Sequence, residues 1–271
     1  MKFVRRDLGE SAEASAGGGD RGLRREIVVL VAGIGGLILG AYFGVGFLVE
    51  WTLPLISPER EQRWFAEFPV EKSEVVLDAA RRDQLFEAQV ILDQLTRQPE
   101  VPQIPYKLIM VPDRDPNAFA VPGGTIVLTT GLMDVLDGHE IALAFVLGHE
   151  LGHFAQRDHL RGMGRSIGRG LVWALIFGGS GGVDVVSDRA NRLLDLGHSR
   201  QQERGADGFG VRLVLAAYGT VEGGERLFSW LAETAQSNAG LTLLSSHPAP
   251  EDRIAALRAS AAEYAAGAGV K

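Results

Sequence analysis

The chain has 271 residues, a formal net charge of −7 and no cysteine. Its length suits one sizeable domain with appendages, and 46% hydrophobic against 23% charged residues leaves enough apolar material for a core. The lack of cysteine excludes disulfides, thiolate metal sites, cysteine nucleophiles and lipid attachment through an N-terminal cysteine. An acidic balance with no basic stripe beyond the first segment argues against a nucleic-acid partner.

Residues 1–26 read as a flexible, disordered cytoplasmic tail. They carry Lys2, Arg5, Arg6, Arg21, Arg24 and Arg25, together with acids at Asp7, Glu10, Glu13 and Asp20 that a mitochondrial targeting peptide normally lacks. From Ile27 to Val49 there are 23 residues without a charge, bracketed by Glu26 and Glu50 and followed by Trp51. As a helix this stretch is about 34 Å long, enough to cross a bilayer, and longer than the roughly 7–15 apolar residues of a signal peptide. It is therefore expected to be an uncleaved single transmembrane helix. The nearest basic residues after it are Arg60 and Arg63, so the arginine excess predicts a cytoplasmic N-terminus and an extracytoplasmic remainder at the inner membrane. Ala32, Gly36, Gly40 and Gly44 recur every four residues, a smooth face that predicts weak homodimerisation in lipid.

Residues 50–70 read as a linker broken by Pro54, Pro58 and Pro69. The folded domain is expected over 71–265, with a flexible C-terminus over 266–271. Within it, Ser73–Gln98 has helical spacing, Tyr106–Val111 reads as a short buried strand, and Asn117–Val121 and Thr125–Thr130 form a hairpin hinged at Pro122-Gly123-Gly124. His139–Asp158 is helical in pattern. The apolar run Leu171–Phe177 is too short to span a membrane, and reads as a buried segment or a lipid-touching surface. Gly178–Gly182 separates it from the C-terminal helices.

Chemistry concentrates at His149-Glu150-Leu151-Gly152-His153. Residues four apart share one face of a helix, so His149 and His153 can grip one Zn²⁺ while Glu150 stands beside the open coordination position. There a carboxylate takes the proton of a zinc-activated water as it attacks a peptide carbonyl. A catalytic zinc needs a third protein ligand, and two candidates compete. His159 follows His153 at the metzincin spacing, but Gln156 stands where that pattern has its turn glycine. Glu203 lies in a segment where, if helical, it shares a face with Asp207, which would orient a ligand histidine through its second nitrogen. His139 and His198 read as surface residues.

Four motifs in order, NAFAVPGGTIVLTTGL, HELGH, QERGAD and SSHPAPEDRI, resemble the M48 family of zinc metallopeptidases from about Tyr106 to Leu257. The resemblance implies an α+β, mainly helical zincin-type domain with a small β-sheet. It implies one zinc held by His149, His153 and Glu203, with Glu150 and Asp207 in the catalytic machinery. It further implies a substrate-pairing strand at Asn117, Ala118, Phe119 and Ala120, and a site role for His247 and Arg253 in stabilising the transition state or gating the cleft. The multi-span architecture of some members is missing here, which favours a single-anchor relative. The expected function is a membrane-anchored zinc endopeptidase acting on protein or peptide substrates, with envelope quality control implied by the resemblance alone. The competing reading is a zinc-stabilised, non-proteolytic scaffold or chaperone at the membrane, which would have no need of Glu150. An aminopeptidase is disfavoured because no acidic site for a free amino terminus is evident.

Overall fold

The computed structural model describes residues 11–65, 77–177 and 198–224, together with single positions at 226, 229, 230, 253, 255, 256, 259 and 262. Helix α1 (Ser11–Thr52) contains the apolar run and remains exposed along it, with Leu37, Phe43 and Phe47 each at least 70% accessible. The helix begins at Ser11, inside the segment expected to be a flexible tail. Extending an existing helix needs no new nucleus, and alanine and glutamate in Ser11–Ala16 favour extension whereas Gly17–Gly19 oppose it.

The linker expectation also changes. A 3₁₀ turn (Leu53–Leu55) and helix α2 (Pro58–Phe65) occupy its first part, each using a proline in its first turn, where a missing N–H costs nothing. Buried Glu61 of α2 explains why this segment is fixed. It pairs with Arg157 Nη2 at 3.0 Å and His159 Nε2 at 2.6 Å, and accepts the Gly123 N–H at 3.4 Å. Arg157 also donates to the carbonyls of Leu53 and Ile56. The segment after α1 is thus clamped onto the residues that follow the HELGH helix.

Burial alone would raise the Glu61 pKa, but His159 and Arg157 outweigh it and hold it below its ordinary 4.5. Its stabilisation is therefore full above about pH 4.5 and is lost as pH falls through the lowered value. Glu61→Gln leaves Arg157 and His159 without their anion. It is expected to cost about 3 kcal/mol and to flatten the acid limb of stability, as read by denaturant titration of the full chain at pH 7 and pH 4.

Helix α3 (Ala79–Leu95) starts at Asp78, whose carboxylate accepts the Arg81 N–H at 2.8 Å. It buries Ala88, Ile91, Leu92 and Leu95, each large side chain contributing about 1.5–3 kcal/mol. The sheet is mixed, in the order β1 (Lys107–Val111), β3 (Thr125–Thr129), β2 (Ala118–Val121). β1 runs parallel to β3, with Lys107 opposite Thr125, and β2 runs antiparallel to it, with Ala118 opposite Leu128. The expected hairpin is therefore β2–β3, turning at Gly123 and Gly124, both at φ near +90°. Among the described residues β2 has no second strand neighbour, so it forms an edge.

Short α4 (Thr130–Leu136) leads to α5 (Glu140–Gln156), which is buried at every residue from Ala142 to Phe154 and packs against β2 and α3. The turn that ends α5 is made by Arg157, in the left-handed region at φ 59°. Then α6 (Asp158–Phe177) lies along α1, and α7 (Arg200–Tyr218) packs across α5. α7 opens with a capping box between Ser199 and Gln202 and closes at Gly219 with φ 72°.

Candidate metal centre

Helices α5 and α7 meet backbone to backbone because glycine lines the crossing. A Cβ on Gly148 would lie 3.0 Å from Gly210 Cα, and one on Gly152 would lie 2.8 Å from Ala206 Cα. A Cβ on Gly210 would press to 2.9 Å from the His149 nitrogen. This approach brings Glu203 of α7 against the two histidines of α5.

His149 Nε2 and His153 Nε2 stand 3.1 Å apart. Glu203 Oε2 is 3.5 Å from the first, and Oε1 is 3.4 Å from the second. Tetrahedral zinc with bonds near 2.0–2.1 Å needs ligand atoms about 3.3 Å apart. The three donors, all buried, match that edge length.

Behind each imidazole stands a carboxylate. His149 Nδ1 lies 2.9 Å from Asp207 Oδ1, and His153 Nδ1 lies 3.0 Å from Asp158 Oδ2. Each carboxylate accepts from the neighbouring Nδ1–H, which turns the Nε2 lone pair inward toward Glu203. Three buried donor atoms this close together form a group that could hold a metal ion.

The electrostatics agree. For His149, burial and then the Arg253 charge push the pKa down to about 4 against the pull of Asp207 and Glu203, which favours the neutral, metal-binding form. For His153, burial pushes down, but hydrogen bonds to Asp158 and Glu203 and the charges of Glu150 and Glu203 raise it to about 9. A proton there occupies the place a cation would take. Glu150 is itself buried on α5.

Arg253 closes the far side. Its guanidinium pairs with Glu203 Oε2 at 2.9 Å and with Asp207 Oδ1 at 2.6 Å, and donates from Nε to Asp207 Oδ2 at 2.7 Å. Burial raises the Asp207 pKa, but His149 and Arg253 outweigh it and hold it below its ordinary value. Arg253 thus sits beside the donors, whereas His247 lies outside the described residues.

His159 is not among the converging donors. It packs on Phe154 and bonds Glu61, so it belongs to the clamp. His139 is exposed ahead of α5, as expected. His198 departs from its surface reading: it is half-buried and stacked on His153, with ring centroids 3.8 Å apart. His153, Asp158 and His198 also lie close enough to be a second metal-holding group. There, however, Asp158 already accepts from His153, Gln202 and Arg161, which makes it a brace.

Asn117 is buried just ahead of β2, its N–H bonded to Thr129 Oγ1 at 2.8 Å. Ala118–Ala120 run along the edge strand beside α5. Reading the sequence missed Asp158 and Glu61. An acid five residues past His153 was the available signal for the first, and nothing in the proline-broken segment marked the second.

Comparison with known proteins places this arrangement. Residues 85–261 match Peptidase family M48. A putative beta-barrel assembly-enhancing protease of Vibrio cholerae is 30% identical over 172 residues, covering 59% of this chain and 35% of that protein. A protease HtpX homolog of Salinibacter ruber is 31% identical, covering 62% of this chain and 71% of its own length. Metalloprotease LoiP of Escherichia coli is 28% identical, covering 56% and 61%. The chain thus spans about a third of the first relative and under two thirds of LoiP. The matched region holds α5, α7 and all three converging donors, and the chain belongs to peptidase family M48.

Proposed function

We propose that the chain is a membrane-anchored zinc endopeptidase. The observation that carries the reading is the set of three buried donors, His149 Nε2, His153 Nε2 and Glu203, spaced 3.1–3.5 Å apart. In this reading those residues hold Zn²⁺, which when bound supplies Lewis acidity to a water and to the scissile carbonyl. Glu150 takes the proton of the attacking water and delivers it to the departing amine. Asp207 and Asp158 keep both imidazoles oriented, and Arg253 balances the carboxylates of Glu203 and Asp207. An extended substrate adds as a strand along Asn117–Ala120, so recognition is through backbone more than side chain. The exposed apolar run of α1, the only helix long and apolar enough among the described residues, anchors the enzyme. The printed name of the Vibrio cholerae relative, a beta-barrel assembly-enhancing protease, supports an envelope setting, in which misfolded envelope proteins are the substrate class of this reading.

The test is metal dependence of the purified full chain. Elemental analysis should find about one zinc per chain. A chelator should abolish cleavage of a casein-like substrate, and added Zn²⁺ should restore it. Full cleavage by metal-stripped protein would overturn the reading. Stoichiometric zinc with no cleavage of any denatured protein would favour the scaffold reading.

A further inference from the structure

We propose that the C-terminal half of α6 lies inside the bilayer beside α1, as a second, partly inserted helix bathed in lipid acyl chains. The inference rests on reading α1 as the membrane anchor.

The depth of α6 is set by charge and by packing. Arg161 Nε and Arg165 Nη1 reach Glu50 at 2.9 and 3.6 Å, so the first two turns of α6 stand level with the end of the uncharged run. One turn deeper, the two helices touch. A Cβ on Gly164 would lie 3.0 Å from a methyl of Val49, and one on Gly168 would lie 2.2 Å from a methyl of Val45. As numbering rises along α6 it falls along α1, so the helices are antiparallel and α6 points back along the anchor. The fit is specific, since glycine stands at both α6 positions and a β-branched residue faces each.

α6 continues as helix to Phe177, twelve residues beyond Arg165. At about 1.5 Å per residue that carries its end roughly 18 Å past the level of Glu50, some half of a 30 Å hydrocarbon layer. The sequence there is Leu-Val-Trp-Ala-Leu-Ile-Phe, without a charge. Arg169 is the last charged residue of α6 in the sequence. An aqueous location for this run would hold an apolar helix end in water at the depth where α1 itself is expected to contact acyl chains. Lipid acyl chains are a surrounding that suits both helices.

The absence of cysteine makes the test direct. The full chain carrying Leu175→Cys, labelled with a polarity-sensitive fluorophore, is reconstituted in phosphatidylcholine–phosphatidylglycerol vesicles. Asp83→Cys, exposed on α3, serves as the water-exposed control and Leu37→Cys as the control in α1, and Ala174→Cys guards against a perturbed label site. Expected at 174 and 175 is loss of most emission to mid-chain brominated lipid, with little loss to aqueous iodide, and the reverse at 83. Iodide quenching at 174 and 175 while 37 responds to brominated lipid would overturn the proposal and leave the anchor intact. Iodide quenching at 37 would overturn the anchor reading itself, and this proposal with it. Shielding of 175 from both quenchers would mean that protein, such as a second copy, covers the helix, and would also overturn it.

Discussion

Glu150→Gln is expected to lower turnover by roughly 10²–10⁴-fold, the usual contribution of a positioned acid–base group, while leaving metal content unchanged. The side chain is buried on α5 and is not one of the three converging donors, so the isosteric change removes a base without removing a donor. Its charge helps hold the His153 pKa up, so the metal-free variant should carry a somewhat less basic His153. With metal bound, that difference is immaterial, because the cation replaces the proton. The measurement is steady-state cleavage of an unfolded protein substrate alongside zinc content of the same preparation. Near-normal cleavage would assign proton transfer to another residue or the activity to a contaminant. Loss of metal together with activity would make Glu150 structural.

The second large effect separates Glu203 from His159. Glu203→Ala removes one of three donors and is expected to weaken zinc binding by more than the roughly 100-fold that loss of a ligand's hydrogen-bonded neighbour costs. Arg253 would then lose its pairing with Glu203, so the variant should lose some stability as well as metal. His159→Ala should retain zinc near one per chain, since its imidazole is bonded to Glu61, and should instead unfold at lower denaturant. Metal titration of both purified variants decides the matter. Full zinc in Glu203→Ala with loss in His159→Ala would sink the assignment of the donors.

The parts of the site that lie within one helical repeat were legible from sequence, because the period of the α-helix alone puts His149 and His153 on one face. The pairing of Glu203 with them across two helices needed the motif order of a family, since no local rule brings residue 203 to residue 149. The hairpin was legible from Gly123-Gly124, where only the left-handed backbone closes the turn. What stayed hidden was tertiary. Glu61 sits between prolines that mark broken structure, and only the fold reveals that its carboxylate meets Arg157 and His159. Asp158 was visible as an acid but not as a brace, because that role depends on the reversal at Arg157, where a glycine would be the ordinary signal. His198 read as surface until α7 carried it onto His153.

The glycine seam between α5 and α7 has a consequence for how a metal would be taken up at the proposed site. Because Gly148, Gly152 and Gly210 let the two backbones rest directly on each other, apolar packing and main-chain contact set the spacing of the donors. Small zinc-binding domains collapse without their ion, since its binding energy is their folding energy. If the three donors hold zinc as proposed, the helix contact and not the ion would set their spacing, so loading would be expected to resemble docking into a formed socket more than the last step of folding.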